Sequence, residues 1–425
     1  MLTAADLRPI SHSETLLINE RSGALASTRT LYRFGFGESP FPVPLLLQEA
    51  LNAARAEKSY LPVQGLPALR AQVAEFHRQQ DQVTWDAQGV VIGPGSKLLI
   101  YAVLASFVRA QVLLVSPSWV SYQPQAELAG LSVARIYTQA HEQWRLTPEA
   151  LEAFCQHREN PHLPLILVLN YPNNPTGDTY TGEQLAELAQ VLRRHQIIVI
   201  SDEIYGVLHH QGAHQSLARF YPEGTLVTGG LSKWGALGGW RLGVLHIPKP
   251  LRAHLLPRIL GVASETWSSV AAPVQYAAIQ AYAYPQAIAD FVAQERRVLA
   301  RIGQQSAAIL AQVAVETPQP TGGFYLFPNF EAWRTQLAHV GVFTSADLCA
   351  YLLEQAGVVL LPASAFGMPA SVLAARLAYV NFDGQAALEA ASDQQIDVVA
   401  APVYAGMQAI VETLNKLLTP RVVGA

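Results

Sequence analysis

The chain has 425 residues, of which 50% are hydrophobic and only 14% are charged, so it is long enough for a large and a small domain with sizeable cores. A formal net charge of -4 and the absence of a basic run argue against a nucleic-acid partner. No apolar run reaches the ~18 residues needed to span a bilayer, and the first residues do not resemble a secretory signal, so we expect no membrane partner and a cytoplasmic location.

Apolar runs typical of buried strands alternate with amphipathic stretches in the central part of the chain. The runs that predict strands are 112–115, 165–169, 197–200 and 226–228. Between the second and the third run, residues 181–195 show leucines at helical spacing after Thr181 and Gln184, a possible capping box. Continuously apolar strands that alternate with helices are typical of a mostly parallel sheet flanked by helices.

This alternating part covers residues 45–285 and is predicted to form a large α/β domain. After it, an alanine-rich helix at 287–314, a Gly-Gly turn, short strands and a last helix near 407–418 indicate a second unit. Residues 286–425, joined by residues 1–44, are therefore predicted to form a smaller α+β domain. The pattern of residues 385–405 predicts no particular structure.

Polar side chains follow the predicted strands, where parallel sheets bind their ligands. Asn174 lies in the loop after the second strand, Asp202 and Tyr205 follow the third, and Lys233 follows the fourth, with Arg241 eight residues later. Because parallel strands end at one edge of the sheet, we expect these side chains to lie close together. Taken singly, such residues are also explained as a turn asparagine, a helix cap, a core tyrosine or solvated cations.

Three motifs carry a resemblance to a known family. They are Asn-Pro-Thr-Gly at 174–177, Ser-Asp-Glu-Ile-Tyr at 201–205 and Ser-Lys-Trp at 232–234. Their order and spacing resemble the class I and II aminotransferases, the fold-type-I pyridoxal-phosphate enzymes related to aspartate aminotransferase. The resemblance extends over about residues 13–382. It implies a seven-stranded sheet in the large domain, the cofactor pyridoxal 5′-phosphate, and transfer of an amino group between an amino acid and a 2-oxo acid.

The resemblance implies a role for each residue at the strand ends. Lys233 would hold the cofactor aldehyde as a Schiff base and would then act as general base and acid. Asp202 would face the ring nitrogen and keep it protonated. Tyr205 and Asn174 would donate hydrogen bonds to the ring oxygen. Arg241 would bind the phosphate through its guanidinium group.

Further residues complete the expected cofactor site. Gly95, Ser96 and Lys97 precede a predicted helix, and the backbone N–H groups at a helix start bind phosphate. Their spacing is not that of a Walker A loop. Trp119, after the first predicted strand, matches an aromatic residue that stacks on the cofactor ring, although a core tryptophan is an equal explanation without the resemblance.

Two further positions concern the phosphate. Tyr60 matches a family tyrosine that reaches the phosphate of the neighbouring subunit, which implies a homodimer with shared active sites. Gly230 stands where the family often has a serine, three residues before the lysine, so the phosphate would have one hydroxyl contact fewer.

The substrate side is also assigned by resemblance. Arg376 matches the arginine that binds the substrate α-carboxylate, and Gly37 matches a glycine that lets the backbone approach the substrate. Asn174 is also expected to be a substrate-binding residue. Lys97 resembles a lysine of an aspartate and prephenate aminotransferase subgroup that contacts the distal carboxylate. A dicarboxylic substrate such as aspartate or glutamate is therefore expected first, and an aromatic or broad specificity next. A phosphate-side or solvated role for Lys97 stays open.

Other functions share parts of this pattern. Carbon–sulfur β-lyases and related fold-type-I enzymes use the same constellation and differ in their products. A second alternative is the sensing half of certain transcription regulators, which would need a DNA-binding domain before the motifs. A third is a plain nucleotide-binding protein, which would not explain the presence of Lys233 and Arg241 at this spacing. Cys155 and Cys349 lie far apart and show no metal-ligand spacing, so no metal is expected.

Overall fold

The computed structural model describes residues 30–418. Its strands are β1 Tyr32–Arg33, β2 Val90–Gly93, β3 Gln111–Ser116, β4 Ser132–Tyr137, β5 Leu165–Asn170, β6 Ile198–Asp202, β7 Thr225–Gly230, β8 Gly243–His246, β9 Tyr325–Leu326, β10 Val358–Val359, β11 Leu361–Pro362 and β12 Ala375–Ala378. Its α-helices are Leu45–Ala54, Pro67–Gln80, Ser96–Ala105, Tyr122–Leu128, Pro148–His157, Gly182–Arg194, Lys249–Thr266, Ala272–Tyr282, Gln286–Ala311, Arg334–Ala338, Ser345–Ala356, Gly384–Glu389, Asp393–Val399 and Ala401–Lys416. Short 3-10 helices occur at Ala87–Gly89, Ala140–Glu142, Gly206–Leu208, Leu217–Arg219, Gly238–Trp240, Glu331–Trp333 and Ala363–Phe366.

Seven strands form the main sheet, in the order β2-β8-β7-β6-β5-β3-β4. Strands β3 to β7 pair in parallel, while β8 is antiparallel to both of its neighbours. The register places Asn170 opposite Asp202, and Asp202 opposite Thr228. The polar ends of three adjacent strands are therefore level, and the predicted fold class, a mostly parallel seven-stranded sheet flanked by helices, is confirmed.

Alternating side chains of the central strands enter two separate apolar cores. Val112 and Leu114 of β3 belong to one core, whereas Leu113 and Val115 belong to the other. Each core is completed by helices on its own side of the sheet. Burial on both faces explains why these strands are apolar at every position, which is the signal by which the sequence predicts them.

Local sequence signals predict several elements well. All four predicted strands are present, and the helix predicted at 181–195 is Gly182–Arg194. It begins with a complete capping box, in which Thr181 accepts from the Gln184 N–H and Gln184 accepts from the Thr181 N–H. The alanine-rich helix is Gln286–Ala311, and the last helix is Ala401–Lys416.

The stretch 385–405 holds short helices that the pattern does not predict. Its helices Gly384–Glu389 and Asp393–Val399 are capped by Asp383 and Ser392. They pack on the long helix Gln286–Ala311, where Arg301 pairs with Asp397. Their stability depends on this tertiary packing, because isolated helices of six or seven residues are marginal in water.

Two small sheets lie outside the main sheet. Strands β11, β12 and β9 form an antiparallel sheet, and β1 pairs in parallel with β10. The β1–β10 pair joins a segment before the main sheet to one after it. Cys349 is buried and Cys155 half-buried, and both are free thiols. Within residues 30–418, no helix is long and apolar enough to cross a membrane.

Candidate active site

A cavity of about 380 Å³ opens where the parallel strands of the main sheet end. The sequence-predicted site residues that line it are Gly37, Ser96, Lys97, Trp119, Asn174, Asp202, Tyr205, Lys233, Arg241 and Arg376. Gly95 and Tyr60 do not belong to the lining: Gly95 lies next to Arg241, and Tyr60 is 94% exposed. The structure therefore brings together residues that are up to 339 positions apart, from Gly37 to Arg376, in one cavity.

Lys233 reaches the cavity from the turn that follows β7. Its Nζ donates to the Gly37 carbonyl oxygen at 3.0 Å. The same Nζ lies 5.5 Å from the centre of the Tyr205 ring and 5.4 Å from that of Phe324. Gly37 is required by space, because an added Cβ would lie 2.0 Å from the Tyr325 hydroxyl oxygen. Among the described residues the amine makes this one hydrogen bond, and it lines the cavity within reach of a ligand.

Asp202 is the last residue of β6, and its side chain is buried. Its Oδ2 accepts a 2.7 Å hydrogen bond from the Tyr122 hydroxyl, and its Oδ1 accepts from Thr228 Oγ1 at 3.2 Å. Burial raises the pKa of Asp202 to about 6, although these hydrogen bonds favour the carboxylate. No lysine, arginine or histidine in residues 30–418 forms an ion pair with it. A cationic ligand group would supply that partner.

Arg376 enters the cavity from β12 and is 2% exposed. It donates from Nη1 to Asn174 Oδ1 at 3.1 Å and from Nη2 to the Gly35 carbonyl oxygen at 2.6 Å. Its guanidinium carbon lies 4.9 Å from the centre of the Tyr325 ring. The Nε is buried and has no hydrogen-bond partner among the described residues. Burial lowers the pKa of Arg376, and a bound carboxylate would compensate for the lost hydration.

An anion site lies at the start of the helix Ser96–Ala105. No side chain of residues 30–418 caps this helix, and Gly95 precedes it with a φ of +85°. An added Cβ on Gly95 would lie 2.4 Å from Arg241 Nη2, so only glycine allows the guanidinium group to approach. Uncapped N–H groups and an arginine are the donors that phosphate prefers. The start of this helix and the Arg241 guanidinium group therefore form one anion-binding site.

Lys97 and Trp119 form a further wall of the cavity. The Lys97 Nζ lies 5.0 Å from the centre of the Trp119 ring. Burial and the nearby charge of Arg241 lower the pKa of Lys97. Among the described residues, the cavity is lined by four basic side chains, which are this lysine, Lys233, Arg241 and Arg376, and by two acidic ones, Asp202 and Glu38. The cavity is suited to a ligand with more than one negative group.

The absence of a serine at position 230 has a steric reason. An added Cβ on Gly230 would lie 2.7 Å from the Leu242 carbonyl oxygen and 3.0 Å from the Gly243 Cα. A serine side chain would require the neighbouring strand β8 to move. The hydroxyl contact expected from the family is therefore not available in this chain.

Sequence reasoning missed several residues of the site. Tyr122 and Asn170 both contact Asp202, Asn170 by donating from Nδ2 to its backbone oxygen at 2.8 Å. The strand-end rule could have found Asn170, since it is the last residue of β5. Tyr325 lies 3.0 Å, oxygen to oxygen, from the Tyr205 hydroxyl, and no local signal announces a contact over 120 positions. Phe36, which is 41% exposed, also lines the cavity.

Comparisons with known proteins agree with this geometry. The family model described as "Aminotransferase class I and II" matches residues 31–381. An aspartate aminotransferase from Geobacillus stearothermophilus is 32% identical over 90% of this chain and 95% of its own length. The structure of aspartate aminotransferase from Thermus thermophilus with maleate superposes with a TM-score of 0.80, at 26% identity, over 96% of this chain and all of that one. An aromatic aminotransferase from Pyrococcus horikoshii gives a TM-score of 0.78 at 26% identity, over 94% of this chain and 100% of that one.

Proposed function

The chain belongs to the class I and II aminotransferases, and we propose that it transfers an amino group between an amino acid and a 2-oxo acid with pyridoxal 5′-phosphate held on Lys233. One observation carries the assignment of the site. A lysine amine, a buried carboxylate that has no cationic partner within residues 30–418, and a buried arginine converge in one cavity at the carboxyl edge of the sheet. The alternative of a carbon–sulfur β-lyase is not favoured, because the relatives are aminotransferases.

The donor groups of the cavity fit the phosphate of this cofactor. Ser96 and the first N–H groups of its helix would hold the phosphate, and Arg241 would neutralise its charge. The close approach of the Arg241 guanidinium group to Gly95, just before this helix, supports this assignment. Lys97 lies next to this site and would add a second positive charge.

The residues at the other end of the cavity fit the ring. Asp202 would pair with the ring nitrogen, which supplies the missing cation, and Trp119 would stack on the ring face. Tyr205 and Asn174 would donate to the ring oxygen. When bound, the cofactor supplies the electron sink that stabilises negative charge at the substrate α-carbon.

Lys233 is the group that would move the proton. Within the described part of the chain, its Nζ makes one hydrogen bond, of 3.0 Å to the Gly37 carbonyl oxygen, which it would leave in order to act. As a free amine it would take the proton from the substrate α-carbon as a general base and would later give a proton back as a general acid. The aromatic rings of Tyr205 and Phe324 lie beside this amine, at 5.5 Å and 5.4 Å from Nζ to the ring centres. Arg376 would orient the substrate by binding its α-carboxylate.

We propose aspartate or glutamate as the first donor to test. Lys97 lines the cavity and would bind a distal carboxylate, and the Thermus relative was solved with the dicarboxylate maleate. Phe36 and Trp119 also present apolar surface to the same cavity. An aromatic amino acid is therefore the second donor to test.

We further propose a homodimer with shared active sites. Tyr60 is 94% exposed and does not line the cavity of its own chain. In the proposed dimer, the exposed Tyr60 ring would reach the phosphate site of a second copy. The domain division at residues 45 and 285 and the cytoplasmic location also stay predictions.

The absorption spectrum of the purified protein between roughly 300 and 500 nm tests the proposal. We expect a band at roughly 360–430 nm after incubation with pyridoxal phosphate, and a shift toward about 330 nm on addition of aspartate or glutamate. Lys233→Ala should lose the band, while Lys249→Ala, which changes an exposed lysine outside the cavity, should keep it. Absence of the band in the wild-type protein would refute cofactor binding. A band that no amino acid shifts, with pyruvate released from cystathionine, would identify a β-lyase instead.

A further inference from the structure

The residue after Asp202 is a buried carboxylate with four side-chain partners. Glu203 Oε1 accepts from Ser201 Oγ at 2.7 Å, from Ser216 Oγ at 2.8 Å and from the Tyr171 hydroxyl at 3.1 Å. Its Oε2 lies 2.9 Å from His214 Nε2. The Glu203 and His214 side chains are 5% and 7% exposed. Neither residue lines the cavity, and the mechanism proposed above does not use them.

Two contacts bear on the charge of His214: its Nε2 lies 2.9 Å from a buried carboxylate oxygen, which favours the imidazolium form, whereas its Nδ1 is buried with no hydrogen-bond partner among the described residues, which opposes it. Burial by itself lowers the pKa of this histidine, but its hydrogen bond to Glu203 and the charge of Glu203 raise it above the ordinary value. Among the other charged groups that face His214, Asp81 acts in the same direction and Arg296 in the opposite one. His209 packs nearby and is itself kept neutral by burial. A buried carboxylate is far less costly when a cation is bonded to it, so the pair is expected to be charged and close to neutral in sum.

The charge on Glu203 acts on Asp202. Glu203 follows Asp202 directly, and its backbone N–H donates to the Thr228 carbonyl oxygen at 2.9 Å. The Thr228 hydroxyl in turn donates to Asp202 Oδ1 at 3.2 Å. An unneutralised negative charge on Glu203 favours the protonated form of Asp202. A protonated Asp202 cannot pair with a protonated ring nitrogen.

We propose that His214 is a positioning residue that neutralises Glu203 and thereby keeps Asp202 ionised opposite the cofactor ring nitrogen. The proposal rests on the function proposed above. It assigns the pair a role in charge balance, which is distinct from a role in packing. Removing only the cation should disturb the bound cofactor, and removing both charges should restore it.

The test compares His214→Gln with the double variant His214→Gln, Glu203→Gln. The readout is the pH midpoint of the visible absorption change of the bound cofactor, which does not depend on turnover. In His214→Gln, the uncompensated charge on Glu203 should raise this midpoint by about one unit. In the double variant, the midpoint should return to the wild-type value. His195→Gln is the control, because His195 also pairs with a glutamate, Glu152, at 3.1 Å, but in a more exposed position outside the cavity.

A second readout uses the protein without cofactor. The pKa of His214 is raised in the folded state. Its charged form therefore stabilises the folded protein fully below the pKa of an unfolded histidine, ~6.5, and this stabilisation is lost as the pH rises through the folded-state pKa. In His214→Gln, the unfolding temperature should no longer show this decrease above pH ~6.5. In His195→Gln, the decrease should be the same as in the wild-type protein. Retention of the loss in His214→Gln would mean that His214 is uncharged, which overturns the proposal.

The outcomes separate charge balance from packing. A double variant whose midpoint is shifted as far as that of the single variant, or further, would assign the pair a packing role and overturn the proposal. An unshifted midpoint in His214→Gln would overturn it as well. A wild-type protein without a cofactor band would overturn the proposed function itself, and this result differs from every outcome in which the band is present.

Discussion

Tyr122→Phe isolates the hydrogen bond that keeps Asp202 ionised. The change removes the hydroxyl that donates to Asp202 Oδ2 at 2.7 Å and leaves the ring that packs edge-on against Trp119. A hydrogen bond to a charged group stabilises it by about 1.5–3 kcal/mol, which corresponds to a pKa change of about 1–2 units. The pKa of Asp202, about 6 in the wild-type protein, should therefore rise to roughly 7–8 in the variant.

This shift predicts a pH-dependent loss of cofactor affinity. At pH 7 the ionised fraction of Asp202 should fall from about nine-tenths to between about one-half and one-tenth. Binding of pyridoxal phosphate should weaken by about two- to ten-fold at pH 7, if the carboxylate is the form that binds. At pH 9 the carboxylate predominates in both proteins, so the difference should nearly vanish.

The assay is an absorbance titration of the unloaded proteins with pyridoxal phosphate at the two pH values. Variant and wild type are compared at the same pH, so that pH-dependent changes in the protonation of the cofactor affect both proteins equally. Tyr282→Phe is the control, because the Tyr282 hydroxyl is buried without a hydrogen-bond partner among the described residues. Equal weakening by Tyr122→Phe at pH 7 and pH 9, or none at either, would refute the role of this hydrogen bond.

Three further changes have outcomes that follow from the structure. Burial raises the pKa of Asp202 above its unfolded value of ~3.9, so the unloaded protein should lose up to ~3 kcal/mol of stability between pH ~4 and ~6. Asp202→Asn should thus unfold at a higher temperature than wild type at pH 8 but not at pH 4, and equal melting at pH 8 would contradict the pKa shift. Phe36→Ala should lower kcat/KM for phenylalanine about three- to ten-fold more than for aspartate, because ~1 kcal/mol of apolar contact is lost; equal loss for both substrates would place Phe36 outside the side-chain pocket. Gly230→Ser should destabilise the protein by about 1–3 kcal/mol in denaturant unfolding through its contact with Leu242, and tighter cofactor binding at unchanged stability would show that the hydroxyl can be accommodated.

The parts of the fold that sequence predicts are those with a local cause. Residues 165–169 are apolar at every position because the strand is buried on both faces, and Thr181 with Gln184 forms a capping box within one turn. The positions of Asp202 and Lys233 also follow from local rules, since each lies at or just after the end of a strand. These signals need no knowledge of distant residues.

The remaining contacts depend on pairings between distant segments. Tyr325 reaches Tyr205 because β9 pairs with β12 and the segment before β9 runs along the loop that contains Leu208. Glu203 reads in the sequence as part of a family motif, yet its role as the acceptor of four side chains depends on how the segments around Tyr171 and Ser216 converge. Side chains that meet only through tertiary pairing carry no periodic or spacing signal, so a single sequence does not reveal them.

The contact between Arg376 and Asn174 links the two ends of the proposed site. A guanidinium group has only donors, so the Asn174 side chain must present its oxygen to Arg376 Nη1, at 3.1 Å. The Asn174 backbone N–H is also fixed, because it donates to Asn170 Oδ1 at 2.8 Å. With both contacts made, the Asn174 amide nitrogen is the group left to donate to another acceptor in the cavity. The arginine proposed to bind the substrate carboxylate therefore also sets the orientation in which Asn174 can donate to the cofactor ring oxygen, and substrate binding at Arg376 would act directly on a hydrogen bond of the cofactor.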